Sequence, residues 1–169
     1  GFPGLIAFSV HMITRLDDSC KWKKANLIPH NGQYAEFALM AKLDWSKNVS
    51  DERDCPFQIL LGGMDADLCV LLNLAVWLEF GLANHTAAVH SPHVFTFTKQ
   101  TGLLSGAEST KEFVSKNLRK IINNRIGSGF HPVAEGPLGS HSFRKFASTW
   151  CRRQGASCDE KDYRGRWKK

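Results

Sequence analysis

The sequence predicts an α+β fold that is mainly helical, carries a small antiparallel β-sheet and forms one domain. Apolar residues recur at helical spacing over most of the chain, and two short runs of strand character follow each other within residues 35–61. No repeat or low-complexity linker divides the 169 residues, a length sufficient for one buried core. The hydrophobic fraction of 43% and the charged fraction of 22% are ordinary for a globular protein.

The first part of the chain predicts a buried helix followed by a hairpin. Residues 5–14 are mostly apolar and form a helix that leads directly to Arg15. Residues 35–43 alternate as a strand, and residues 57–61 are a second apolar run of strand length. The polar segment 46–54 between them is rich in turn formers, so a β-hairpin with a charged tip is the simplest arrangement.

The middle of the chain changes to a helical period. Leucines and valines at helical spacing follow Asp65, which we expect to be an N-cap, and Gly81 ends the run. Residues 94–98 predict a short strand. Ser109 and Glu112 predict a capping box at the start of a further helix.

Two helices are predicted near the C-terminus. Residues 127–139 form a loop, after which Ser140 is expected to cap a helix that Gly155 stops. Ser157 and Glu160 form another capping box and open a short helix.

The charge balance favours a polyanionic partner. The formal charge is +6 and the pI about 9.2, and basic residues outnumber acidic ones between Arg144 and Lys169. A solvated basic tail is the alternative for such a run. The interleaved aromatic residues Phe146, Trp150 and Trp167 favour a folded basic surface.

The cysteine pattern argues against a disulfide framework, and the histidine pattern argues against a metal site. The five cysteines show no C-x-x-C pair and predict reduced core thiols of an intracellular protein: Cys20, Cys55, Cys69, Cys151 and Cys158. His85, His90 and His93 surround Pro92 without an acidic or thiol partner nearby, which favours loop histidines over a metal site. The sequence has neither a secretory signal nor an apolar run of membrane-spanning length. Its start at Gly1 rather than Met predicts a fragment of a longer reading frame.

Four short patterns carry side chains suited to holding a phosphodiester. His141 and Arg144 are three apart on a predicted helix and therefore share a face, where a guanidinium holds two phosphate oxygens and an imidazole donates to the same group. Arg15 is followed three residues later by Asp18, a spacing at which a carboxylate orients an arginine. Taken singly, each pair is more often a surface pair.

The other two patterns contribute one donor each. Lys47, at the predicted hairpin tip, has a movable ammonium that suits a general acid, although a solvated turn lysine is the commoner case. Trp167 offers one indole N–H and a large apolar face, and anchoring the core or surface is its alternative role.

The ordered set of these residues resembles a known enzyme family. In chain order it consists of Arg15-x-x-Asp18, Lys47, His141-x-x-Arg144 and Gly165-Arg166-Trp167. This set resembles the catalytic domain of the tyrosine recombinases, the phage-integrase superfamily. The surrounding stretches 45–49, 139–145 and 164–168 are similar to the recombinases of Crypton-type eukaryotic DNA transposons. The resemblance extends from Arg15 to the C-terminus.

The resemblance implies DNA strand cleavage and rejoining, for site-specific recombination or integration, through a 3′-phosphotyrosyl intermediate. It implies that Arg15 and Arg144 clamp the scissile phosphate, that His141 and Trp167 donate to it, and that Lys47 protonates the leaving oxygen, with Asp18 supporting Arg15. Further predicted DNA contacts are Lys145, Arg164, Arg166 and Lys168. The resemblance also implies double-stranded DNA as partner, a tetramer on DNA for the full-length protein, a nuclear location, and neither a metal nor a nucleotide cofactor, since the phosphotyrosine conserves the bond energy.

Two features depart from the family pattern. The nucleophilic tyrosine normally follows the tryptophan motif, whereas Tyr34 and Tyr163 both precede Trp167. We therefore expect a partial catalytic domain, without the N-terminal DNA-clamping domain and the C-terminal tyrosine segment, that binds phosphate but does not cleave DNA by itself. Arg166 stands between Gly165 and Trp167, and if Arg166 takes the usual histidine position, Trp167 loses its assigned role.

Two other classes of function compete with this hypothesis. The first is a domesticated, catalytically silent descendant that serves as a DNA- or chromatin-binding module. The second is a helical interaction domain unrelated to DNA, which requires the whole ordered set to have arisen by chance.

Overall fold

The computed structural model describes residues 1–32, 35–44, 56–81, 86–99, 102–106, 108–126 and 139–167. In chain order the helices are α1 Phe2–His11, α2 Leu16–Cys20, α3 Val70–Val76, α4 Thr86–Val89, α5 Glu108–Ile126, α6 Ser140–Arg153 and α7 Cys158–Gly165. The strands are β1 Leu27–Pro29, β2 Ala38–Ala41, β3 Gln58–Leu61, β4 Thr96–Lys99 and β5 Gly102–Ser105. The predicted α+β class is confirmed. None of the described helices is both long and apolar enough to cross a membrane.

Helix α1 is the centre of the fold and packs against α2, α3 and α6. It begins and ends three residues earlier than the sequence predicts. Its end is set by a reversal of the chain at Ile13. Ile13 has a left-handed φ of 49°. The Ile13 N–H donates to the Val10 carbonyl, and the Thr14 N–H donates to the Ser9 carbonyl. This pair of bonds closes the helix, and glycine normally occupies the left-handed position. A β-branched residue there is a strained choice two positions before Arg15.

The predicted hairpin strands are confirmed as antiparallel neighbours. Strand β2 pairs with β3, with Ala38 opposite Leu61, and β1 pairs with the other edge of β2. The first strand is shorter than predicted because residues 35–37 form a 3₁₀ turn. The predicted tip, 46–54, lies outside the described residues.

Helix α3 begins four residues later than predicted, and the assignment of Asp65 as its N-cap is wrong. The Asp65 carboxylate instead accepts from the N–H of Asp67 in a local turn, at 3.0 Å. Cys69 is the N-cap, with its sulfur accepting from the N–H of Leu72 at 3.4 Å. The helix continues as a π-helical turn that ends, as predicted, at Gly81.

Helix α5 contradicts the predicted capping box at Ser109, because the helix already includes Ser109 from its start at Glu108. The predicted strand at 94–98 is confirmed as β4, shifted by up to two residues and paired with β5.

The C-terminal helices follow the predicted signals more closely. Ser140 is the first residue of α6 rather than its cap, which is Gly139. Gly155 stops the helix as predicted, with φ of 93° and the N–H of Ala156 donating to the carbonyl of Cys151. The capping box that opens α7 is confirmed by reciprocal bonds of 3.1 and 2.7 Å between Ser157 and Glu160. The predicted loop 127–139 lies outside the described residues except for Gly139.

One hydrophobic core joins α1 to the sheet, α3 and α5. The ring of Phe8 stacks on Trp22 with centroids 3.9 Å apart and meets Phe95 at 5.9 Å. All three side chains are buried to within 1% exposure. The core therefore fixes the C-terminal end of α1, from which the chain passes to Arg15.

The described cysteines form no disulfide among themselves. The prediction of core thiols is correct for Cys20 and Cys69, which are buried. It is wrong for Cys158, the exposed first residue of α7, and Cys151 is half-buried. Cys55 lies outside the described residues.

Candidate functional site

A cleft of about 420 Å³ opens beside α6 and gathers residues from three distant parts of the chain. We call it the α6 cleft, and its lining residues are Arg15, His141, Arg144, Lys145, Ser148, Thr149 and Trp167. Four of the five residues that the sequence assigns to catalysis thus line one cavity. The fifth, Lys47, lies outside the described residues.

Helix α6 supplies most of the lining because of its period. At 3.6 residues per turn, His141, Arg144, Lys145 and Ser148 fall on one face. His141 and Lys145 are exposed on this face, whereas Arg144 is only 8% exposed and forms the inner wall. Ser148 and Thr149 also line the cleft, although they are not among the predicted site residues. They continue the same face of α6, so the helical period is the signal that identifies them.

Arg15 enters the cleft from the turn between α1 and α2. A buried chain of hydroxyl groups supports this turn: Ser19 Oγ lies 2.8 Å from Ser9 Oγ and 2.5 Å from Thr14 Oγ1. Ser19 Oγ also donates to the Arg15 carbonyl at 3.3 Å. The Arg15 N–H donates to Asp18 at 3.4 Å. The backbone of Arg15 is therefore held on both sides of its side chain.

Each residue of Gly165-Arg166-Trp167 has a distinct structural role. The Gly165 carbonyl accepts from Arg144 Nη2 at 2.8 Å, so the end of α7 anchors the inner wall of the cleft. The Arg144 guanidinium carbon lies 4.6 Å from the centre of the Trp167 ring, and Lys161 Nζ lies 4.7 Å from it. Two cations against one indole fix its plane by cation–π attraction. Trp167 lines the cleft although Arg166 precedes it.

Glycine is required at position 165 by close approach. A Cβ atom built there would lie 2.7 Å from two carbons of the Trp167 ring, closer than real Cβ contacts. The φ of Gly165 is not in the left-handed region, so space and not backbone conformation selects the glycine.

Three guanidinium groups act electrostatically on the carboxylate of Asp18. Its side chain is fully buried and lies 3.5 Å from Arg166 Nη2. Burial raises the pKa of Asp18 above its ordinary range, while the positive charges of Arg166, Arg144 and Arg15 oppose that shift. The predicted support of Arg15 by Asp18 runs through the Arg15 backbone N–H.

The electrostatics of the cleft favour an anion. Burial, and then repulsion from Arg15, lowers the pKa of Arg144 to about 10, so the group remains a cation at neutral pH. Within the described part of the chain, the buried Nε of Arg144 has no hydrogen-bond partner. An anion placed between Arg15 and Arg144 would relieve their mutual repulsion and engage guanidinium donors.

Two of the four basic residues predicted to contact DNA instead tie the fold together. Arg164 donates to the carbonyls of His11 at 3.1 Å and Ile59 at 2.8 Å and to Gln58 at 3.3 Å, so its guanidinium faces α1 and β3. Arg166 is buried against Asp18.

Of the other two predicted DNA contacts, the structure describes only Lys145. Lys145 lines the cleft and is exposed, and Lys168 lies outside the described residues.

Among the described residues, no three His, Cys, Asp or Glu side chains come close enough together to hold a metal ion. Of the loop histidines, His93 is hydrogen-bonded to Ser105 at 2.8 Å, and His85 lies outside the described residues. No protein-family model matches this sequence, and no curated protein matches it.

Proposed function

We propose that the α6 cleft binds a backbone phosphodiester of double-stranded DNA and stabilises its pentacoordinate transition state. The reaction is DNA strand cleavage and rejoining of the tyrosine-recombinase type. One observation carries this proposal: Arg15, the His141 and Arg144 pair, and Trp167 come from three separate segments of the sequence and line a single cationic cleft.

The side chains have complementary tasks in this reaction. Arg15 and Arg144 neutralise the two equatorial oxygens, on which a second negative charge develops in the transition state. His141 and the Trp167 indole N–H donate to the same phosphate. The cations in the cleft therefore bind the transition state more tightly than the ground state, which is the condition for catalysis.

Bond changes follow from in-line attack at phosphorus. A tyrosine hydroxyl attacks phosphorus and loses its proton to water, the bond from phosphorus to the 5′ oxygen breaks, and Lys47 gives a proton to that oxygen. A 3′-phosphotyrosyl bond results, and the 5′ hydroxyl of a second strand later reverses the step. Tyr163 is 58% exposed and does not line the cleft, so it is not assigned as the nucleophile. Tyr34 lies outside the described residues.

Binding is tested first with a short fluorescent DNA duplex and a salt titration. Arg144→Ala removes one phosphate contact, so the slope of log K against log salt should fall by about 0.9. The matched control is Arg119→Ala, which removes the same charge from an exposed position on α5 that does not line the cleft. Equal effects of the two substitutions would contradict a specific role for the cleft.

Chemistry is tested with a substrate that needs neither a tyrosine nor a general acid. A duplex is prepared whose 3′ end carries a para-nitrophenyl phosphodiester. Water attacks phosphorus, the bond to para-nitrophenolate breaks, and a 3′-phosphate and a proton are released. We expect this chain to accelerate that hydrolysis, and Arg144→Ala to lower kcat/KM by about 100-fold or more. The silent DNA-binding alternative predicts DNA binding without any acceleration.

A further inference from the structure

A buried ion pair joins the two ends of the proposed site. Arg166 Nη2 and Asp18 Oδ2 are 3.5 Å apart although the residues are 148 positions apart in the sequence. The side chain of Arg166 is 3% exposed and that of Asp18 is fully buried. Neither side chain lines the α6 cleft, so neither is placed to touch a phosphate bound there.

The backbone at Arg166 is unusual for its residue type. Arg166 adopts a left-handed φ of 51° at the end of α7. Its N–H donates to the Tyr163 carbonyl, and the Trp167 N–H donates to the Asp162 carbonyl. Glycine normally occupies this position, because a Cβ atom makes the left-handed conformation costly. An arginine held there against its backbone preference indicates that its side chain has a task.

The ion pair connects every part of the proposed clamp. On one side, Asp18 accepts from the backbone of Arg15. On the other, Arg166 lies between Gly165, whose carbonyl holds Arg144, and Trp167, whose ring stacks on Arg144. A shift of Arg166 therefore moves the support of Arg144 relative to Arg15.

The same pair controls charge. Asp18 is close enough to Arg15 and Arg144 for both to act on its ionisation. Arg166 compensates the carboxylate, so the charges of both Arg15 and Arg144 remain available to the phosphate. These two clamp cations face the two negative charges of a pentacoordinate diester transition state, whereas an uncompensated Asp18 would offset one of them.

We propose that Arg166 is a positioning residue, and that its ion pair with Asp18 keeps that carboxylate from neutralising Arg15 and Arg144 while it fixes their spacing. This inference rests on the proposed function of the cleft. It replaces the expectation that Arg166 contacts DNA.

The test uses Arg166→Gly, because glycine accepts the left-handed backbone and favours folding. In the para-nitrophenyl assay we expect kcat/KM to fall at least tenfold. Interactions between contacting residues typically change such quantities by about 2- to 100-fold, so this effect lies within the usual range. The decisive variant is the double substitution Arg166→Gly with Asp18→Asn. Asparagine still accepts from the Arg15 N–H but carries no charge, so the part of the loss that comes from the uncompensated carboxylate should return, while the part that comes from the lost spacing should remain.

Rescue by a second substitution separates charge control from mere structural support. If Arg166 only held the fold together, activity in the single and double variants would follow their thermal stability, because the second substitution also removes an uncompensated buried charge. Rescue of kcat/KM between variants that are folded to the same extent therefore shows charge control. Wild-type activity in Arg166→Gly, or no rescue in the double variant, would overturn the inference. Equal rates for wild type and Arg144→Ala would instead overturn the proposed function, so the two failures are distinguishable.

A second measurement applies if Arg166→Gly does not fold, as judged by thermal unfolding. Asp18→Asn alone leaves three guanidinium charges at the site without their carboxylate. We expect KM for the diester to fall because the anion is attracted more strongly, and kcat to fall because the spacing of the clamp is no longer fixed. A rise in KM together with the fall in kcat would show a purely structural role and contradict the inference.

Discussion

Gly165→Ala should damage the site far more than the fold. The new Cβ would lie 2.7 Å from two ring carbons of Trp167, where ordinary contact begins near 3.4 Å, so the indole has to move by about 0.7 Å. Overpacking of this kind costs typically about 1–3 kcal/mol, while alanine in place of glycine at a helical position returns up to about 1 kcal/mol. The net loss in the free energy of unfolding should therefore lie between about 0 and 3 kcal/mol.

The displaced ring would lose its position over Arg144, 4.6 Å from its centre. Because ångström-scale misplacement of a catalytic group costs up to about 100-fold, we expect kcat/KM for the para-nitrophenyl diester to fall between about 10- and 100-fold. The assay is steady-state hydrolysis together with thermal unfolding of each variant. Gly63→Ala is the matched control, since its Cβ meets only a Cys69 atom at 3.8 Å. A Gly165→Ala protein with wild-type kcat/KM would refute the role assigned to the tryptophan.

Three further predictions concern the fold. Burial and the charge of Arg164 lower the pKa of His11 from 6.5 to about 4. As the pH falls, His11 is therefore protonated in the unfolded chain before it is protonated in the folded protein. About 3 kcal/mol of stability should be lost as the pH falls from 6.5 towards 4, and urea unfolding of His11→Gln should show a flatter profile. Arg164→Ala should lower the free energy of unfolding in urea by about 3 kcal/mol, because three internal hydrogen bonds are lost, while DNA affinity falls no more than in Arg119→Ala. Gly155→Ala should cost about 1 kcal/mol in thermal unfolding, since its φ is 93°, and leave hydrolysis unchanged.

Local chemistry explains which elements the sequence predicts well. Gly155 and the Ser157–Glu160 box act within one turn of their own helices, and both predictions are confirmed. Asp65 has the right residue type for a cap, but its carboxylate is used two residues later in its own turn, at the N–H of Asp67. A cap prediction fails when the same side chain has a competing backbone partner nearby.

The site divides in the same way. Helical period places His141 and Arg144 on one face, so that part follows from the sequence. Arg164 and Arg166 lie in a basic stretch, and the sequence predicts both of them as DNA contacts. Their partners, Ile59 and Asp18, are 105 and 148 positions away, and only the tertiary structure decides that these side chains turn inward.

Hydrolysis of the para-nitrophenyl diester by wild type, Arg144→Ala and Arg119→Ala tests the central claim most directly. It measures phosphodiester activation by the α6 cleft without depending on a nucleophile supplied by the protein. The account predicts acceleration by wild type and by Arg119→Ala at similar kcat/KM, and a loss of about 100-fold or more in Arg144→Ala. Identical rates for all three proteins, or wild-type hydrolysis no faster than in buffer, would contradict it.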